Sequence, residues 1–213
     1  MSKAEILNKN KNYSESYFQR IGNPKVPIEI VDVIKNSKRI LDLGCGDGGI
    51  ITAISNTFKD KELFGVDISP RRIGGLVKRI PHGQFVCGDV CKTALKERFF
   101  DLIISTQVIE HLENDCDFVK EVERLLKPAG YLYVTSVIKK PWAVYIYRNN
   151  GKFVLDPTHV KEYKHKEEFL DLFKEGFRLV KLNIFPVERK KIFTVKIPGY
   201  YIIETLWQKR TGE

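Results

Sequence analysis

Leu41-Asp42-Leu43-Gly44-Cys45-Gly46-Asp47-Gly48-Gly49 is the stretch that decides the fold. Arg39–Leu43 is a short apolar run of strand character, and Ile50, Ile54 and Phe58 recur at helical spacing behind the glycines. A glycine turn between strand and helix lets the backbone bend sharply and approach a ligand, while the helix start presents its N–H groups outward.

The same rhythm continues downstream. Glu62–Val66 reads as a second strand, followed by Pro70 and a helix to about Lys78; Gln84–Cys87 and Asp101–Ser105 read as the third and fourth strands. Asp115–Leu126 has helical periodicity and meets a stop at Lys127-Pro128-Ala129-Gly130, before a fifth strand at Tyr131–Val137. Apolar runs alternating with helices predict an α/β fold: a Rossmann-like, doubly wound sheet, mostly parallel, with helices on both faces. Upstream, Ser14–Arg20 suits a short amphipathic helix, and Ile28, Val31 and Ile34 space a helix after Pro24 and Pro27. Lys166–Lys174 then forms a helix, and Phe177–Phe185 with Tyr200–Gln208 suggest an antiparallel hairpin at the sheet edge.

The 213 residues predict one domain. Within it, 1–37 form a helical cap, 38–138 a ligand-binding half, 139–163 an excursion over the rim, and 164–213 a helix with edge strands. Hydrophobic residues are 43% and charged residues 30%, which excludes a disordered or disulfide-scaffold chain. No stretch approaches the roughly 20 apolar residues of a membrane span, and the polar start lacks a signal-peptide core. A cytoplasmic protein is expected. The four cysteines lack metal-site spacing, so reduced, buried thiols are expected and no structural zinc. The net charge of +9 is uneven: residues 1–138 carry 20 basic and 18 acidic side chains, residues 139–213 carry 16 and 9. That last third has a net +7, which suits an anionic partner or a solvated basic face.

Asp67 stands at the end of the second strand, 21 residues after Gly46, where a carboxylate accepts hydrogen bonds from ribose hydroxyls. Gly44-x-Gly46-x-x-Gly49 also satisfies the dinucleotide fingerprint, so a nicotinamide or flavin enzyme is one reading. Three features point elsewhere: Asp42 ahead of the first glycine, Asp89 in Gly88-Asp89-Val90 past the third strand, and the run Phe100 to Leu112 ending Gln107-Val108-Ile109-Glu110-His111-Leu112. With these in order, the chain resembles the class I S-adenosylmethionine-dependent methyltransferases, in the broad group that includes ubiquinone-biosynthesis-type enzymes. The resemblance spans about Ile40 to Val137 and resumes weakly at Asp156–Phe177.

It implies a seven-stranded sheet with an antiparallel last strand, S-adenosylmethionine as cofactor and S-adenosylhomocysteine as product. Carried over by position, Asp42, Gly44, Cys45 and Gly46 form the loop under the methionine and ribose. Asp67 holds the ribose hydroxyls, Ile68 lies on the adenine face, Asp89 and Val90 read the adenine edge, and Gln107 faces the methionine end. Asp47 reads as a helix cap, and Asp89 has a turn-capping alternative. Arg20 is within chain reach of the methionine carboxylate if the N-terminal segment folds over the site.

Methyl transfer from a sulfonium is an in-line displacement, and holding the partners in line contributes about 7–11 kcal/mol. A base is needed only where the acceptor must lose a proton. His111 and His159, the latter in Asp156-Pro157-Thr158-His159, are the candidates, against structural roles for both; His82 and His165 read as surface residues. Gln107 stands where a metal-binding Glu-x-x-Glu-His pattern has its first Glu, and the loss of that hard ligand predicts no metal. Trp142, Tyr145, Tyr147 and Phe153 alternate with Lys139, Lys140, Arg148 and Lys152, which suits stacking on an aromatic acceptor or on bases, or a small satellite core. Glu188-Arg189-Lys190-Lys191 reads as a solvated turn. A small-molecule acceptor with an O, N or C nucleophile is the expected partner. RNA, through residues 139–213, and a binding module without turnover are the alternatives.

Overall fold

A computed structural model describes residues 25–139, 146–149, 152–155, 160, 161, 163–186 and 200–211, with single residues 5, 8, 9, 11 and 12. The expectations for Ser14–Arg20, Arg20, Trp142, Tyr145, His159 and the turn at 188–191 lie outside these residues, as do the side chains of Tyr147 and Phe153.

Five strands alternate with helices: β1 (Arg39–Leu43), β2 (Glu62–Asp67), β3 (Gln84–Cys87), β4 (Phe100–Thr106) and β5 (Leu126–Lys139). The helices are α1 (Val31–Asn36), α2 (Gly49–Thr57), α3 (Pro70–Arg79), α4 (Asp115–Leu125) and α5 (Lys166–Asp171). A 3-10 turn at Ile28–Ile30 leads into α1, and a second covers Ile109–His111. Strands β6 (Ile146–Asn149) and β7 (Lys152–Leu155) form a separate antiparallel pair, while β8 (Phe177–Pro186) and β9 (Tyr200–Lys209) join the main sheet. Its seven strands run β3-β2-β1-β4-β5-β9-β8, parallel except for β9, which is antiparallel to both its neighbours.

Period-two alternation divides the core between two faces. Ile40, Leu63, Leu102, Ile104 and Tyr133 pack with α1, α2 and α3; Leu41, Phe64, Ile103, Leu132 and Val134 pack with α4 and α5. The hairpin is as expected, but β9 lies inside the sheet and only β8 forms the edge. Burial explains the order: Ile203, Leu206 and Trp207 are buried on both faces of β9, whereas β8 exposes Leu179, Val180, Ile184 and Phe185. At the turn after α4 the residue with positive φ is Ala129, not Gly130. A Cβ on Gly130 would meet the Lys127 carbonyl at 3.0 Å, so close approach accounts for that glycine. Helix α5 is shorter than the expected Lys166–Lys174 and continues as turns. Of the four free cysteines only Cys45 is buried; Cys91 is half-buried, and Cys87 and Cys116 are exposed, which corrects the expectation of buried thiols.

The return from β3 to β4, residues 88–99, contains no helix and is held by side chains of α4. Glu121 accepts the Thr93 N–H at 2.9 Å, the Thr93 hydroxyl at 2.6 Å, and Arg124 Nε and Nη2 at 2.9 and 2.7 Å. Arg124 Nη1 also donates to the Leu95 carbonyl at 2.9 Å. Burial pushes the Glu121 carboxyl up, but the hydrogen bonds from Arg124 and Thr93 outweigh it, and the net position is below the ordinary glutamate range. Asp42, on the α2 side of β1, behaves oppositely: burial first, then the nearby Asp67 carboxylate, push it up to about 7 against the Ile51 N–H.

These two acids predict opposite pH dependences. Glu121 is lowered in the folded state, so its stabilisation is present above pH about 4.5 and lost as pH falls; Asp42 is raised, so its share is full below pH about 4 and lost as pH rises toward 7. Glu121→Ala is expected to cost about 2–3 kcal/mol at pH 7 in urea unfolding, with less difference from wild type in acid. Asp42→Asn is expected to flatten the decline in stability between pH 4 and 7. An unchanged pH profile in either variant would contradict the assignment.

Candidate functional site

The strand order reverses between β1 and β4, and the loops leaving the carboxyl ends of the parallel strands meet there, where open α/β sheets bind ligands. Gly44, Gly46 and Gly48 have φ of 83°, 52° and 76°. The Gly44 and Cys45 N–H groups both donate to the Val66 carbonyl, at 2.8 and 3.0 Å, which lays the first loop across the end of β2. A Cβ on Gly44 would stand 2.3 Å from Val108 Cγ2, so the loop lies directly against the turn after β4.

Asp67 ends β2 at 6% exposure. Its Oδ2 accepts the Gly46 N–H at 2.8 Å and its Oδ1 the Ser69 N–H at 2.9 Å, and its backbone carbonyl accepts the Gly88 N–H at 2.9 Å. One residue therefore joins the loops that follow β1, β2 and β3. A carboxylate oxygen has two lone-pair positions, so each oxygen of Asp67 keeps one acceptor position beyond these bonds. A vicinal diol such as that of a ribose fits this pair of acceptors, and at Gly46 beside it the Arg72 guanidinium lies 3.3 Å from where a Cβ would stand.

Ile68 follows half-buried, and Ser69 caps α3 by accepting the Arg72 N–H at 3.3 Å. Asp89 Oδ1 accepts the Cys91 N–H at 2.9 Å in a tight turn, which keeps Val90 buried at the end of β3. Gln107 is exposed with φ of 56°, and its N–H donates to the Thr135 carbonyl at 3.1 Å. Gln107 thus sits at the carboxyl ends of β4 and β5, beside the first loop. His111 closes the second 3-10 turn, half-buried. His165 is exposed; His82 is exposed too, 3.2 Å from Ser55 Oγ.

Asp47 is not the helix cap. The cap position of α2 is Gly48 in the left-handed conformation, and the Asp47 carboxylate pairs instead with Arg72 Nε at 3.8 Å, while its carbonyl accepts Arg79 Nη1 at 2.6 Å. Cys45 is buried, and burial, then Asp42 and Asp67, push its thiol well up, so it stays protonated. Sequence reasoning missed Val108, Arg72 and Ser105, whose hydroxyl donates to the Leu43 carbonyl at 2.7 Å across the switch point. Their contacts are long-range, and no local pattern marks them. Among the described residues no group of three His, Cys, Asp or Glu side chains could hold a metal ion, and no helix is long and apolar enough to cross a membrane.

Residues 41–134 match the family described as Methyltransferase domain. A malonyl-[acyl-carrier protein] O-methyltransferase of Marinomonas sp. (strain MWYL1) is 26% identical over 178 residues, 78% of this chain and 58% of that protein. A fatty-acid O-methyltransferase of Mycolicibacterium smegmatis is 33% identical over 102 residues, 46% of this chain and 37% of that one. The chain spans about half the length of these curated relatives. Among solved structures, a SAM-dependent methyltransferase from Methanosarcina mazei matches with a TM-score of 0.70 at 16% identity, over 88% of this chain and 100% of that one, a likeness of fold. The matched span contains every loop that Asp67 joins, and over it the chain is similar to methyltransferases in sequence and in fold.

Proposed function

We propose that the chain transfers a methyl group from S-adenosylmethionine to a small-molecule nucleophile at the carboxyl ends of β1, β4 and β5. The observation that carries this reading is Asp67, clamped to Gly46 and Ser69 with one acceptor position open on each oxygen. S-adenosylmethionine, when bound, supplies a methyl on a sulfonium that departs as the neutral thioether S-adenosylhomocysteine. The chain's own part is to bind and orient. Asp67 holds the ribose, Ile68 and Val90 enclose the adenine with Asp89 at its edge, and the loop Asp42 to Gly46 with Gln107 bounds the methionine end.

The acceptor lies on the side of Gln107 and His111. His111 is the candidate base among the described residues, needed only where the acceptor gives up a proton. His159 is its companion candidate, and its neighbour Val160 donates its N–H to the Glu110 carbonyl at 3.0 Å. Among the relatives, some act by name through oxygen, on malonyl-[acyl-carrier protein] and on fatty acids, and others through nitrogen, which supports an oxygen or nitrogen nucleophile. Cytoplasmic residence agrees with the composition and with dependence on a soluble cofactor.

Labelled methyl transfer into a cell extract, separated into small-molecule, RNA and protein pools, tests this. Label is expected in the small-molecule pool. Label in RNA instead would overturn the acceptor class, and tight S-adenosylhomocysteine binding without label in any pool would favour a binding module. Asp67→Ala is expected to weaken S-adenosylhomocysteine binding by about 10–100-fold, the loss of hydrogen bonds to a charged acceptor. His111→Asn is expected to lower transfer by about 10²–10⁴-fold at unchanged cofactor binding if it is the base. An unaffected rate would remove it from that role.

A further inference from the structure

Gly46-Asp47-Gly48-Gly49, the second half of the loop after β1, carries a single side chain, that of Asp47. A loop so poor in side chains has little of its own to hold it, and glycine leaves its backbone many conformations. Helix α3 holds it instead. Arg72 Nε pairs with the Asp47 carboxylate at 3.8 Å, with the Arg72 side chain at 14% and that of Asp47 at 8% exposure. Arg79 Nη1 donates to the Asp47 carbonyl at 2.6 Å. Between these two arginines Leu76 is fully buried, and a Cβ on Gly48 would stand 2.0 Å from its Cδ2. Positions 72, 76 and 79 lie on one face of α3, so a single stripe of that helix meets Gly46, Asp47 and Gly48 in turn.

These contacts also close on themselves. Asp67 Oδ2 accepts the Gly46 N–H at 2.8 Å, and Asp47, next in the chain, pairs with Arg72. The Arg72 N–H donates to Ser69 Oγ at 3.3 Å, and the Ser69 N–H donates to Asp67 Oδ1 at 2.9 Å. The ring Asp67–Gly46–Asp47–Arg72–Ser69 therefore fixes both oxygens of the acid and the loop beside it together. Three of its four non-covalent links use a backbone N–H, which any residue but proline supplies; the fourth needs the Asp47 and Arg72 side chains. An ion pair mostly withdrawn from water is weakly screened, and removing one partner strands the other charge. We propose that Arg72 is a positioning residue: by pairing with Asp47 it closes this ring and holds the glycine loop and the Asp67 carboxylate in the arrangement that binds the cofactor. This rests on the cofactor reading above. In this role Arg72 acts through Asp47, not by touching the cofactor, and Leu76 and Arg79 brace the same loop.

The test compares Arg72→Ala, Arg72→Lys, Asp47→Asn, Arg79→Ala and the double variant of Arg72→Ala with Asp47→Asn against wild type, using the full chain. S-adenosylhomocysteine affinity is read by calorimetry. Hydrogen exchange at the Gly46 and Gly48 amides is read without ligand, against the Leu132 and Val134 amides of β5. Arg72→Ala and Asp47→Asn are each expected to weaken binding about tenfold and to speed exchange at Gly46 and Gly48 about tenfold, with the β5 amides within about twofold of wild type. Both substitutions remove the same link, so the double variant is expected within about twofold of Arg72→Ala. Arg72→Lys keeps the charge and is expected to recover part of the affinity. Arg79→Ala leaves the ion pair in place and is expected to lose about threefold. Binding by Arg72→Ala within about twofold of wild type would overturn the proposal. So would losses that multiply in the double variant, the sign of direct contact between Arg72 and the cofactor. Equal acceleration at Gly46, Gly48 and β5 would overturn it too, as the sign of a general loss of stability. If Arg72→Ala does not fold, the same limits apply to Asp47→Asn. A wild type that binds no S-adenosylhomocysteine overturns the cofactor reading and this role with it, whereas the other failures leave that reading standing.

Discussion

The Asp67 carboxylate holds the cofactor side together. Its two oxygens take amide protons from loops that are remote in sequence, Gly46 and Ser69, and its backbone carbonyl takes a third from Gly88. Each of those loops leaves the carboxyl end of a different strand. Without the carboxylate the Gly46 and Ser69 N–H groups would lose their acceptor at the buried carboxyl end of β2, each costing about 1–3 kcal/mol. The same bonds orient the carboxylate, so the group proposed to hold a diol is preorganised by the fold. Gly44 completes this arrangement because the turn after β4 lies where its side chain would be.

How much of this was legible depends on the range of each interaction. Strands β1 to β4, the glycine loop and Asp67 announce themselves within windows of a few residues, because strand, turn and helix there follow local periodicity. Asp47 does not. An Asp just ahead of a helix reads as a cap, but Arg72 from α3 claims its carboxylate and Gly48 takes the cap position. Glu110 was visible only as the neighbour of His111. Its partner Ser136 is 26 residues away, and no local pattern shows that both are buried. The hairpin was legible as two strands, but its order in the sheet was carried by a subtler signal: Tyr200–Trp207 is almost continuously apolar, as an interior strand is, while Phe177–Phe185 mixes charges among apolar residues, as an edge strand does.

The segment from 88 to 99 shows how a parallel fold proceeds without a crossover helix. The chain must travel from the edge strand β3 past β2 and β1 to β4, and it has no helix of its own to cover the sheet. Two devices replace it. Glu121 and Arg124 of α4 hydrogen-bond its backbone, and Phe99, Phe100 and Phe64 meet edge to face with centroids 5.2–5.6 Å apart where it re-enters the sheet. Asp89 lies beside the carbonyl of Asp67 because it follows β3 by two residues and Gly88 between them donates its N–H to that carbonyl at 2.9 Å.

The basic last third invites a nucleic-acid reading, but several of its described cations are engaged with the protein itself. Lys161 pairs with Asp115, Lys181 with Glu29 at 3.8 Å and Lys174 with Asp171 at 3.1 Å. Lys209 donates to the Glu123 and Leu126 carbonyls at 2.5 and 3.1 Å, and burial lowers its ammonium below the usual lysine range. Asp115 and Glu29 belong to the nearly neutral first part of the chain, so dividing the charge at residue 138 separates partners that the fold reunites. Lysines tied to carbonyls and carboxylates of their own fold release few counterions from a polyanion, and counterion release supplies much of the affinity for nucleic acid. Among these described cations, Lys161, Lys181 and Lys209 therefore fasten the chain at 161, β8 and β9 to the rest of the fold, and each is to that extent withdrawn from a polyanion.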